Sequence, residues 1–160
     1  MQRIAFVLTT STRARLAARA LAAILLLFVG ADHYYEYSVD HYSVLPTIGA
    51  LFLLNFISAA VVGLLLLAPL DRMFHRFGGA ALQLAAVSGF GIAATSLAAL
   101  LVSEQTKLFG FMEQNYRPAI LVALASEAAA AVCCLLLAVS LGAKRPVHKP
   151  PASSQLGATH

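Results

Sequence analysis

Long apolar runs separated by short polar clusters organise this chain of 160 residues. Apolar residues dominate over 16–37, 44–68, 80–102 and 118–142, and each run reaches the roughly 20 residues a helix needs to cross the hydrocarbon core of a bilayer. The pattern predicts an all-α, integral membrane four-helix bundle. Pro46 and Pro118 stand in the first turn of their runs, where a missing N–H does no harm. The stretch 69–79 reads as a tight turn and 104–117 as a loop with Phe109, Phe111 and Tyr116 at a membrane interface.

The first run carries two readings. The apolar stretch 20–31 follows a basic segment and ends Val29-Gly30-Ala31, which is also how a secretory signal peptide with a small-x-small cleavage site reads. The reading adopted is a retained transmembrane helix, in which Arg19 snorkels inward and Asp32, His33 and Glu36 emerge among outer headgroups.

Composition agrees with the pattern. The chain is 60% hydrophobic and 11% charged, where a soluble domain carries roughly 25% charged residues. Its net charge of +4 is distributed by topology and gives no sign of a nucleic-acid surface. Arg3, Arg13, Arg15, Arg19, Arg72, Arg76, Lys144, Arg145 and Lys149 fall on one side of four alternating spans, and only Lys107 and Arg117 on the other. This positive-inside bias places both termini in the cytoplasm, with anionic lipid headgroups as the partner of the basic residues. Residues 1–15 then form a basic cytoplasmic segment, and 143–160, rich in Pro, Ser, His and Lys, a disordered cytoplasmic tail.

The helix faces carry more information than the helix ends. Glu127 shares its face with Ala123, Ala130, Ala131, Cys134 and Ala138. Asn55 shares one with Ser58, Ala59 and Gly63, while Ala85, Ser88, Gly89, Thr95 and Ser96 form a third. Small residues let helices approach closely in lipid, so all three stripes should face inward. Cys133 and Cys134 read as small packing residues, since adjacent cysteines rarely bridge and no zinc spacing is present.

Two constellations are candidates for chemistry. Glu127 lies nine residues after Pro118, a depth of about 14 Å at 1.5 Å per residue, with Asn55 at about 16 Å and Thr95 and Ser96 at about 10 Å. An ionisable group at such depth costs about 2.5–3.5 kcal/mol on insertion scales and faces protein or water. Glu127 is expected to bond to Asn55 or a threonine hydroxyl, as interhelical glue or as a proton or cation site. The second constellation is outer: His33, Glu36, Asp40 and His41 fall on one face if the helix continues, a loose arrangement for a transition metal that a solvated surface explains equally.

His75 sits in the 69–79 turn, far from His33 and His41, so no facing pair for a haem is visible. The chain carries no phosphate loop, nucleophile elbow or Cys-x-x-Cys. These absences suggest neither an enzyme nor a cofactor protein. The four-span, single-acid layout resembles small multidrug transporters, but their essential glutamate is in the first span, so their function is not carried over. The stretch Tyr42-Ser-Val-Leu-Pro-Thr-Ile-Gly-Ala-Leu-Phe-Leu-Leu-Asn, after a His- and Tyr-rich segment, resembles small uncharacterised four-helix membrane proteins of high-GC Gram-positive bacteria. That resemblance implies a bacterial plasma membrane and supplies no activity. The leading expectation is an accessory or structural subunit that packs on itself or on a larger membrane complex. The alternatives are a small proton-coupled transporter or channel using Glu127, and an outer-face metal or redox site.

Overall fold

The computed structural model describes residues 12–110, 112 and 118–143, so the readings made for 1–11, for 144–160 and for Phe111 and Tyr116 lie outside the described residues. Its elements are α1 (Thr12–Ser38), a 3₁₀ turn (Tyr42–Val44), α2 (Pro46–Leu67), a one-turn α3 (Leu70–Met73), a second 3₁₀ turn (His75–Phe77), α4 (Gly78–Gln105) and α5 (Pro118–Gly142). The four long helices are long and apolar enough to span a membrane, with mean hydropathy between 1.9 and 2.5. Pro46 and Pro118 are the first residues of α2 and α5, as their preset φ and missing donor suit. α1 and α4 run past the apolar stretches that announce them, to Ser38 and Gln105, because no proline or glycine stops either helix there.

Successive long helices are antiparallel. Arg19 near the start of α1 meets the end of α2, and Ser96 of α4 meets Glu127 of α5. The most extensive packing joins α1 to α2 and α4 to α5, so the molecule is two hairpins. They meet along α1 and α5, and somewhat less extensively along α2 and α4.

Side-chain size is inverted relative to a water-soluble bundle. Ala22, Ala23, Ala59, Ala86, Ala93 and Ala130 are completely buried, while Ile24, Leu54, Leu64, Leu84, Leu136 and Val139 are 59 to 67% exposed. In water the large aliphatics would drive folding from the inside. In lipid they are solvated outside, and small residues inside allow close backbone contact. Gly89 marks a close approach in the interior: a Cβ there would lie 2.7 Å from Leu26 Cδ1 and 3.0 Å from Cys134 Sγ. Cys134 is a buried free thiol, and Cys133 is free and half-buried, both in packing positions.

Arg19 turns its charge to structural use. Its Nε donates to Leu66 O at 3.1 Å, and its Nη2 donates to Leu66 O at 2.9 Å and Ala68 O at 2.8 Å. These are carbonyls at the C-terminus of α2, where no intrahelical partner exists and the helix dipole is negative. Arg19→Met should lower stability in detergent by about 1.5–3 kcal/mol, the range for hydrogen bonds to charged groups. Arg19→Lys, which keeps charge but not the fork, should fall between. Thermal unfolding of the three proteins measures this, and equal stability of Arg19→Met and wild type would remove the clamp from the account.

Candidate functional site

The buried positions of α1 recur at Ala22, Ala23, Leu26, Val29, Gly30, His33 and Glu36, the three- and four-residue steps of one helix face. The face therefore continues through the polar end of the helix and carries His33 into the bundle. His33 is 8% exposed, Glu36 5% and Glu127 1%, so the histidine belongs with the intramembrane acid and not with the headgroups where the sequence placed it.

His33 Nδ1 lies 2.9 Å from Val29 O, and its Nε2 lies 2.9 Å from Ser96 Oγ. Ser96 Oγ is 2.5 Å from Glu127 Oε1, while His33 Nε2 and Glu127 Oε1 are 3.6 Å apart. The serine thus bridges imidazole and carboxyl, with one residue from each of α1, α4 and α5.

Counting hydrogens fixes what this triad can do. Val29 O only accepts, so Nδ1 carries a hydrogen and donates it. Ser96 has one hydroxyl hydrogen for two neighbours. In one arrangement a protonated Glu127 donates to Ser96 Oγ, and Ser96 donates to the bare Nε2. In the other, imidazolium Nε2–H donates to Ser96 Oγ, and Ser96 donates to the Glu127 carboxylate. Both satisfy every bond with the same heavy-atom positions, and they differ by one proton step along each bond. Neutral His33 beside ionised Glu127 would leave one bond without a hydrogen. In both of these arrangements the triad is neutral overall, with one proton shared between His33 and Glu127.

A cavity of about 400 Å³ adjoins the triad, lined among others by Asp32, Glu36, Asn55, Ser58, Thr95 and Glu127. Glu127 Oε2 and Asn55 Oδ1 are buried acceptors without a hydrogen-bond partner among the described residues. The His33 ring lies 5.1 Å from Phe52, whose ring stacks on Tyr42 at 4.9 Å. On the other side of the triad Leu26, Leu66, Cys134 and Leu137 are fully or almost fully buried and fill the interior.

The polar layer expected at one depth is thus rearranged. Ser96 does bond to Glu127. Asn55 and Thr95 reach the cavity wall, but the Thr95 hydroxyl is exposed and donates to Gly91 O of its own helix at 2.6 Å, and the bond expected between Glu127 and Asn55 or a threonine is replaced by the serine bridge. A serine or threonine on a helix can satisfy itself on the carbonyl four residues back, and depth counting cannot tell which hydroxyl does so. The face proposed for His33, Glu36, Asp40 and His41 is interrupted because α1 stops at Ser38. His41 follows in a left-handed backbone conformation (φ 62°) and is exposed. Among the described residues no group of three or more His, Cys, Asp or Glu side chains is placed to hold a metal ion.

His33 is the member of the triad that depth counting missed. The signal was the unbroken spacing from Ala22 to His33. No protein-family model, curated protein or solved structure matches this chain.

Proposed function

We propose that this protein is a small proton-coupled carrier of a bacterial plasma membrane, with both termini in the cytoplasm, and that His33, Ser96 and Glu127 are its proton site. The single observation that carries the reading is the Ser96 bridge between His33 and Glu127 on the wall of a cavity. An ionisable residue within a membrane marks a proton or ion path by default, and here it faces both a relay partner and open space. The filled interior beyond Leu26 and Leu137 favours a carrier that must rearrange over an open channel. Nothing in the site calls for making or breaking covalent bonds in a substrate. The clustering of Arg13, Arg15, Arg19, Arg72 and Arg76 at one end of the bundle supports the cytoplasmic assignment.

An accessory subunit that docks through small-residue faces draws less support. Ala59, Gly63, Ala85, Gly89, Ala130 and Cys134 are buried within the protein's own bundle, and large aliphatics dominate the outward surface.

Purified protein in liposomes should dissipate an imposed pH gradient faster than protein-free vesicles, read by an entrapped pH dye. Ser96→Ala removes the bridge and should slow that rate about tenfold, equivalent to roughly 1.4 kcal/mol on the barrier. Ser96→Thr, which keeps the hydroxyl, should restore much of it. A wild-type rate equal to that of empty vesicles would overturn the proposal.

A further inference from the structure

We propose that the cavity beside Glu127 is a binding site for an apolar primary amine in its ammonium form, entering sideways from the bilayer between α2 and α4. This deepens the carrier reading by naming its substrate class, and rests on it only for transport, since binding stands by itself.

The chemistry of the lining selects the ligand. Asp32, Glu36 and Glu127 are on the wall, and among the described residues no lysine or arginine is, so a cation is favoured and an anion opposed. Two buried acceptors, Glu127 Oε2 and Asn55 Oδ1, lack a donor among the described residues. A buried acceptor left unmatched costs free energy, and an ammonium group brings three donors and no acceptor. A quaternary ammonium brings the charge but no N–H. Apart from His33 and the hydroxyls of Ser58, Thr95, Ser96 and Ser103, the rest of the wall is apolar or aromatic, including Phe52 in its stack with Tyr42. The volume of about 400 Å³ falls in the range of small-molecule sites.

The route follows from the packing. α2 and α4 form the loosest of the four neighbouring seams, and Leu51, Leu54, Thr95 and Ala99 line the cavity from those two helices while remaining exposed. An apolar amine partitions into the bilayer, so its concentration is highest on that side.

Charge accounting links the ligand to the proton. The triad with its shared proton is neutral overall, whether the proton sits on Glu127 or on His33. Arrival of an ammonium adds one positive charge in a poorly solvated site, and loss of the shared proton removes it. Ser96 then donates to neutral His33, and the Glu127 carboxylate receives the ammonium hydrogens. One proton leaves for each amine bound.

Calorimetric titration of the whole protein in mild detergent tests this with phenethylamine, 2-phenylethanol and the N,N,N-trimethyl derivative of the amine. The amine should bind saturably and at least tenfold more tightly than the neutral alcohol or the quaternary cation. Repeating the titration in buffers of different ionisation heat should show one proton released per amine. Glu127→Gln should abolish that release and weaken amine binding at least tenfold, and the ligand comparison on wild type needs no variant to fold. Equal affinity for amine and alcohol, or no saturable amine binding, would overturn the site. Amine binding with proton release in a protein that moves no protons in liposomes would keep the site and sink the carrier. Proton movement without amine binding would do the reverse.

Discussion

Glu127→Gln is expected to leave the bundle folded while reducing proton movement in liposomes to the rate of protein-free vesicles. The glutamine amide can donate to Ser96 Oγ, and Ser96 can donate to His33 Nε2, which reproduces the bonds of the protonated-glutamate arrangement. Its Oε1 can take the place of the carboxyl oxygen on the cavity side. Stability should therefore change little, since volume and both bonds are preserved. The amide holds no labile proton, however, so the shared-proton exchange is gone. Glu127→Ala should lose the bond as well, at about 1 kcal/mol, within the range measured for interhelical bonds in membranes. Thermal unfolding and vesicle pH measurements on the same preparations separate structure from transport. Equal proton movement in wild type and Glu127→Gln would dismiss the triad as the proton site.

The largest loss of stability from a single added methyl should come at Gly49. A Cβ there would stand 2.7 Å from Tyr42 O and 3.0 Å from Ser43 Cα, both backbone atoms of the turn that precedes α2. Backbone cannot swing aside as the tip of a leucine can. Gly49→Ala must push the turn away, at about 1–3 kcal/mol for overpacking, against a helix-propensity gain of at most about 1 kcal/mol. The displaced turn takes Tyr42 with it, and with Tyr42 the stack on Phe52 that walls the cavity. Gly91→Ala is the control, because nothing lies within 4 Å of its added Cβ. It should be neutral or slightly stabilising. Matching melting temperatures for Gly49→Ala and Gly91→Ala would contradict the packing described for that turn.

The four helices were legible because lipid imposes a length and a composition that few other environments require. The inward faces of α2, α4 and α5 were legible for a related reason, since small residues at helical spacing have little use against acyl chains. What remained hidden was pairing. Glu127 announced itself, but Asn55, Thr95 and Ser96 all lay within plausible depth, and only the rotation of α4 decides between two adjacent hydroxyls. His33 was misplaced for a different reason. Its neighbours Asp32, Tyr34 and Tyr35 look interfacial, and composition averaged over a window conceals that one helix face stays buried while the other does not. The residues that matter most to the site were thus the ones whose assignment depended on helix phase.

The division into two hairpins has an implication for how the chain is put together. Each hairpin makes its largest contacts within itself, which suits entry into the bilayer as a pair of helices at a time. Yet neither hairpin owns the site: α1 brings the imidazole, and α4 and α5 bring the hydroxyl and the carboxyl. Before the halves meet, the first carries a histidine without its serine partner and the second an acid bonded to Ser96 alone. The site comes into being at assembly, so two fragments separated within 69–77 would each lack it and only their reunion would complete the triad.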